Sequence, residues 1–310
     1  MMTTRMTTTM RIEAHAKVNL TLEVLGERSD GYHALRSVVL PISLADTLEV
    51  TLTRDGELVS DSGYADDLCV RAARVLRAAA EAEGRLEPGA GVSIAIEKRI
   101  PVGGGLGGGS ADAAATLVAL NDLWRLGKSR LELARLGAAV GSDVPSLALG
   151  GAVRMEGRGE KVSPLAAARD LDLVLVNPGV FSSTGEVYRH CRARTDDPAG
   201  ESPTDALARA LAAGDSAALA AATVNDLEPP AVALHPEIGE ALAALRSAGA
   251  AATLMSGSGS TVFALVESAA AAQRLAGRMT AAGYWAAAVR SFALRDQTPR
   301  TSATARENMV

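Results

Sequence analysis

From Arg11 to Val24 apolar and polar residues alternate without a break. Ile12, Ala14, Ala16, Val18, Leu20, Leu22 and Val24 fall on one face, and Arg11, Glu13, His15, Lys17, Asn19, Thr21 and Glu23 on the other. A period of two predicts a strand, or two strands with a bend, buried on one side only. Val92, Ile94 and Ile96 repeat that period within Gly91–Ile100. Leu35–Leu40 and Leu48–Leu52 read as two further strands. The period then changes. Leu68, Ala72, Val75, Leu76 and Ala79 mark a helix running to about Glu83, with Asp66 or Asp67 as its cap. Leu117, Leu120, Leu123 and Trp124 mark a second helix over Ala111–Leu126, and Ser129–Val140 reads as a third.

Between the strand at Gly91 and the helix at Ala111 lies Pro101-Val102-Gly103-Gly104-Gly105-Leu106-Gly107-Gly108-Gly109-Ser110. Glycine this dense is too costly in entropy for the interior of a strand or helix. The order strand, glycine loop, helix N-terminus is an anion site, with Ser110 as the expected N-cap and Asp112 suited to the first turn. A flexible hinge is the alternative. No Gly-Lys-Ser/Thr follows, which excludes a Walker A loop. A second helix rather than a ribose-binding strand comes next, which argues against a dinucleotide fold.

Farther on, Gly141-Ser142-Asp143-Val144-Pro145 reads as a turn with Gly141 as helix C-cap. Asp143 either caps the next segment or is a site carboxylate. Leu147–Val162 reads as a glycine-spaced hairpin. The pattern then restarts with a strand at Leu171–Val176. Helices are expected near Ser183–Cys191, Asp205–Ala213 and Pro236–Ala248. A second glycine loop, Ser256-Gly257-Ser258-Gly259-Ser260, lies between strands at Thr253–Met255 and Thr261–Val266. Helix Ala269–Ala282 and one or two strands in Trp285–Leu294 close the chain. The expected fold is α+β in two domains, residues 11–165 and 166–295, with disordered tails at 1–10 and 296–310.

Composition narrows the function. The 310 residues are 48% hydrophobic but only 3% aromatic, so each tyrosine in a polar setting is informative. The net charge of −5 comes without a basic block, which speaks against nucleic acid as a partner. Cys69 and Cys191 fit no metal spacing or disulfide framework. No apolar run would span a membrane and no signal segment opens the chain, so a cytoplasmic protein is expected. Lys17 and Asn19 project from one strand face about 7 Å apart. A lysine there is usually just solvated. Asp30-Gly31 signals a turn, and Tyr32-His33 brings an aromatic face and a titratable ring to its exit.

Taken in order, six motifs resemble the GHMP kinase superfamily. They are Ala16-Lys17-Val18-Asn19-Leu20, Arg28 through His33, Pro101 through Ser110, Gly141 through Pro145, Asn225-Asp226-Leu227-Glu228, and Met255 through Ser260. The doubled glycine triplet and the Asp-Gly-Tyr-His turn are similar to the branch acting on a cytidine-diphosphate sugar alcohol. The resemblance implies a two-domain fold with its site in the cleft between the halves. It implies transfer of the ATP γ-phosphoryl group to the 2-hydroxyl of that small-molecule acceptor, a step on the methylerythritol phosphate route to isoprenoids. Lys17 and Asp143 would be catalytic. Pro101, Val102, Gly103, Gly104, Gly105, Leu106, Gly107, Gly108, Gly109, Ser110 and Ala111 would bind ATP. Asn19, Tyr32, His33, Thr184 and Tyr188 would bind the acceptor. Mg²⁺ is expected on the ATP phosphates with most of its waters retained, and its protein ligands stay open apart from Ser110 as a contributor. The chain would act as a monomer or homodimer. Asp67 departs from the asparagine the family commonly has there, so any nucleotide contact by that residue would be made differently. The alternatives are a GHMP-type kinase for mevalonate-like or homoserine-like substrates, and a non-catalytic nucleotide-binding protein of the same fold.

Overall fold

The computed structural model describes residues 8–27, 31, 33–193 and 200–292. Its first sheet is built from β1 (Thr9–Glu27), β2 (His33–Thr53), β3 (Leu58–Ser60), β4 (Gly91–Glu97), β5 (Val153–Gly157) and β6 (Lys161–Pro164). Three helices and a short turn of helix cover it: α1 (Leu68–Ala82), α2 (Gly108–Leu123), α3 (Arg130–Gly137) and α4 (Val144–Leu149). A second sheet holds β7 (Asp172–Asn177), β9 (Ala252–Met255), β10 (Val262–Val266) and β11 (Trp285–Arg290), in the order β11-β7-β10-β9. Around it lie α5 (Thr184–His190), α6 (Pro203–Ala213), α7 (Ser216–Ala222), α8 (Glu228–Leu234), α9 (Pro236–Ser247) and α10 (Ala269–Ala281). Between α7 and α8 the short β8 (Val224–Asn225) returns to the first sheet and pairs in parallel with Thr21 and Leu22 of β1.

Several elements differ from the sequence pattern. The strands expected at Leu35 and Leu48 are one continuous β2, because Pro41 sits opposite Lys17 at a bulge and does not end the strand. β1 starts at Thr9, paired with Thr51, so Thr9 and Met10 are strand where a tail was expected. Residues 1–7 and 293–310 lie outside the described residues, as do most of the expected tails and the end of the Trp285–Leu294 segment. Leu147 belongs to α4, and the hairpin is only β5 with β6. α3 is capped by Ala138 rather than Gly141. The alternating period of β1 does not mean one-sided burial. From Ala16 to Val24 both faces are buried. Bulges at His15/Lys17 and Asn19/Thr21 re-aim the strand, and its apolar residues Ala16, Val18 and Leu20 serve the first core while Leu22 and Val24 serve the second.

α2 is the central helix. Every residue from Ala111 to Asn121 is buried, which is what a helix apolar on all sides requires. Its small alanines let α1 pack beside it and β1 and β2 run beneath it. That packing fixes its N-terminus, and with it the glycine loop.

Candidate active site

The glycine loop leaves β4 and curls into α2 with three left-handed residues, Gly103 (φ 69°), Gly105 (φ 72°) and Gly107 (φ 69°). Gly107, not Ser110, is the N-cap, and no side chain caps the helix there. The unaccompanied N–H groups and the helix dipole therefore face any anion in the loop. The turns are also crowded. A Cβ on Gly105 would lie 2.1 Å from the Ser256 carbonyl oxygen and 2.8 Å from that of Gly259. The second glycine loop thus lies directly against the first, held by Thr261 N–H donating to Gly104 O (3.1 Å) and Ser256 Oγ donating to Gly105 O (3.1 Å).

Beside Gly107 three chemistry-bearing residues from distant parts of the chain meet. Lys17 Nζ donates to Asn19 Oδ1 (2.6 Å) and to Gly105 O (3.1 Å) and lies 3.3 Å from Asp143 Oδ2. The lysine side chain is 4% exposed and the aspartate side chain 28%. The ammonium is therefore held inside, and the carboxylate opens outward. Asn19 is fixed in turn by donating to Ser37 Oγ (2.8 Å). A Cβ at Gly107 would fall 3.1 Å from Lys17 Cε and 3.5 Å from Asp143 Oδ2. Asp143 stands at the start of α4 without bonding its first-turn N–H groups through the side chain, so its carboxylate is not spent as a cap.

A cavity of about 920 Å³ opens onto this group. Both halves line it: the loop from Pro101 to Ser110 with Lys17, Asn19 and Asp143 from the first, and Thr184, Tyr188, Gly257 and Ser258 from the second. His33, at the start of β2, and Tyr188, on α5, have ring centroids 5.2 Å apart and planes tilted by 34°. Burial, then the Asp143 charge, pushes the Tyr188 hydroxyl above its ordinary pKa, so this phenol stays neutral. Thr184 Oγ1 lies 2.8 Å from Ser258 Oγ. Tyr32 lies outside the described residues. Ala111 is buried in α2. Ser110 is in the first turn of α2, with its hydroxyl toward the Gly141 turn.

Two further features border the cavity, one that the sequence pattern did not show and one, the Asp67 cap, that it offered. Lys98, at the cavity wall, bridges two buried carboxylates, Asp46 (2.5 Å) and Asp112 (2.6 Å). Asp46 also accepts the N–H groups of Arg99 and Ile100, fixing the chain as it approaches the glycine loop. Burial acts against the Lys98 charge, but its bonds to the two carboxylates outweigh it and raise its pKa. One ammonium does not serve two buried acids fully. Among the described residues Asp112 Oδ1 has no hydrogen-bond partner, and burial pushes this carboxyl up to about 7. Asp112 was expected in the first turn of α2 and lies beyond it. An acid in a run that is apolar but for Thr116 was the available signal, whereas Lys98 sits in a charge run that reads as solvated. The second feature is Asp67. Its Oδ1 accepts Cys69 N–H (2.7 Å) and Val70 N–H, and its Oδ2 accepts the Ser60 and Ser62 hydroxyls. The side chain is a saturated helix cap at the cavity rim.

The description GHMP kinases N terminal domain matches residues 67–151, and GHMP kinases C terminal matches 207–284. A 4-diphosphocytidyl-2-C-methyl-D-erythritol kinase of Symbiobacterium thermophilum is 44% identical over 277 residues, 87% of this chain and 95% of that protein. One of Brevibacillus brevis is 40% identical over 267 residues, 85% of this chain and 90% of that protein. A crystal structure of 4-(cytidine 5'-diphospho)-2C-methyl-D-erythritol kinase superposes with a TM-score of 0.74 at 39% identity, covering 91% of this chain and 98% of that one. A homoserine kinase from Cytophaga hutchinsonii, 20% identical with a TM-score of 0.73, shares the fold.

Proposed function

As the chain belongs to the GHMP kinases and, among them, to the 4-diphosphocytidyl-2-C-methyl-D-erythritol kinase family, we propose the following reaction. The enzyme phosphorylates the 2-hydroxyl of that cytidyl sugar alcohol with ATP. A bond forms between the acceptor oxygen and the γ-phosphorus, the β–γ bridging bond breaks, and ADP leaves. The hydroxyl proton passes to Asp143. The Lys17 ammonium neutralises charge on the transferring group. Such reactions depend on positioning and electrostatics more than on covalent chemistry. The glycine loop and the α2 N-terminus would cradle the triphosphate. Tyr188, His33 and Tyr32 would hold the cytosine, with Asn19 and Thr184 beside the acceptor.

The observation that carries this reading is the Lys17–Asp143 pair, 3.3 Å apart against Gly107. A half-open carboxylate beside a buried ammonium sets a proton acceptor next to a compensating charge, both facing the cavity. Among the described residues no cluster of three metal-ligating acids, histidines or cysteines occurs. Mg²⁺ would ride on the ATP phosphates with most of its waters, with Ser110 in the first turn of α2 as a protein contact, and would neutralise phosphate charge there. ATP as co-substrate fits the cytoplasmic location expected from the sequence, and among the described residues no helix is long and apolar enough to cross a membrane. The test is turnover of ATP, Mg²⁺ and the cytidyl sugar alcohol. Phosphorylated product, with competition by cytidine nucleotides against the acceptor but not ATP, is the expected result. Preference for mevalonate or homoserine overturns the substrate, and ATP binding without turnover overturns the kinase.

A further inference from the structure

The motif Asn225-Asp226-Leu227-Glu228 touches no part of the cavity except through Leu227, yet it reaches the site by another route. Asn225 is 5% exposed, and its side-chain amide is fully employed. Nδ2 donates to the carbonyls of Met255 (2.8 Å) and Gly257 (2.8 Å), and Oδ1 accepts Leu227 N–H (2.9 Å). The neighbouring residues tie the same segment to β1. Asp226 N–H donates to Leu22 O (2.9 Å), and the Asp226 carboxylate accepts Val24 N–H (2.8 Å). Glu228 accepts Met255 N–H (2.9 Å) from the other side.

What Asn225 holds is the wall behind the lysine. A Cβ on Gly257 would lie 3.1 Å from Lys17 Nζ, 3.4 Å from Asn19 Oδ1 and 3.0 Å from Gly105 O. The lysine is thus held with Gly107 against its stem at Cγ and Cε and Gly257 against its Nζ. Gly257 is kept there by one amide group that donates twice, and no other protein side chain of that size does so in a neutral form besides glutamine.

We propose that Asn225 is a positioning residue for phosphoryl transfer, which sets the place of the Lys17 ammonium by clamping Gly257 behind it. The proposal rests on Lys17 acting in the reaction proposed above. Its direct consequence is geometric. With Asn225→Asp a carboxylate oxygen replaces the donor opposite two carbonyl oxygens, so the Gly257 segment is repelled and the back wall moves away from Lys17.

The experiment compares wild type with Asn225→Asp in three readouts. The kcat is expected to fall at least tenfold while KM for ATP and for the acceptor stays within about threefold, because Asn225 is not among the residues that line the cavity. The variant-to-wild-type kcat ratio is expected to rise as the pH is lowered from 8 to 6. A carboxyl buried against carbonyls has a raised pKa, and once protonated it donates to one of them. A crystal structure of the variant is expected to show Gly257 displaced from Lys17. Ser256→Ala, which removes only the hydroxyl bond to Gly105 O, is the milder second variant if Asn225→Asp does not fold, with a severalfold loss in kcat. Unchanged kcat, a loss carried by both KM values, or a pH-independent ratio overturns the proposal. If wild type itself fails to turn over, the substrate reading falls. The crystal structure then still decides the clamp, and an undisplaced Gly257 overturns it.

Discussion

Lys17 Nζ and Asp143 Oδ2 lie 3.3 Å apart, one from the first strand of the chain and one from the turn that opens α4. The pair is not a stabilising salt bridge in the ordinary sense. Lys17 already has two oxygen partners in Asn19 and Gly105. The aspartate keeps an open side toward the cavity.

From this pairing, Asp143→Asn should lower kcat by about 10²–10⁴-fold, the usual span of general-base assistance, with little change in either KM. Lys17→Met should also lower kcat, since it removes charge where charge develops. Because the two groups act on one transfer, the double variant should be little worse than the more damaged single variant. Steady-state kinetics of the three proteins decide this. Near-normal turnover by Asp143→Asn removes the aspartate from the chemistry.

Gly105→Ala should be among the most damaging small substitutions in the loop. The residue has φ 72°, and the new methyl would meet the Ser256 carbonyl at 2.1 Å, a backbone atom that cannot swing aside. Left-handed strain alone costs about 1–3 kcal/mol at a non-glycine residue. The two glycine loops must then separate. ATP affinity by calorimetry should fall at least tenfold and the melting temperature should drop as well. Wild-type affinity would mean that the loop does not hold the nucleotide.

Much of this site was legible in the sequence, and the failures have physical causes. The glycine loop, Lys17 and Asp143 were visible because strand, loop and helix signals are local. The pairing of Lys17 with Asp143 was expected only through the family resemblance, because the two are far apart in the chain and only the fold brings them to 3.3 Å. The continuous β2 was misread as two strands because its interior residues Ser43 to Thr47 look like a turn, yet Asp46 is drawn inside by Lys98. Ser110 was misplaced as N-cap because a left-handed glycine can start a helix without a capping side chain. The polar face of β1 was read as solvated. The second half of the chain covers it, with Thr21 bonded to Thr204 and Glu23 accepting Thr204 N–H.

The Asp46–Lys98–Asp112 group makes stability depend on pH in a stated direction. The Asp112 carboxyl is raised in the folded protein to about 7, from an ordinary value near 3.9. The folded state therefore holds this proton more tightly than the unfolded chain. Its contribution is fully present below the ordinary value and is lost as the pH rises toward 7. Asp112→Asn mimics the neutral form and removes that loss. Denaturant unfolding at pH 5 and pH 8 should show the variant gaining stability relative to wild type at the higher pH. A difference that is the same at both values would show that Asp112 is ionised throughout.

The acceptor side can be separated from the nucleotide side through Tyr188. Its ring centroid lies 5.2 Å from that of His33, and it lines the cavity with its α5 neighbours Thr184 and Gly185. On the proposed assignment it stacks on the cytosine. Stacking of a base on an aromatic side chain is worth about 1–3 kcal/mol in nucleic-acid complexes, and each 1.4 kcal/mol is a factor of ten in affinity. Tyr188→Ala should therefore raise the acceptor KM by about 5–150-fold and leave the ATP KM within about twofold. Tyr188→Phe should keep most of the wild-type value, because the phenol, raised in pKa by burial and by Asp143, contributes its ring and not a charge. An equal rise in both KM values would place the ring outside the acceptor pocket. A Tyr188→Phe variant as impaired as Tyr188→Ala would assign the binding to the hydroxyl.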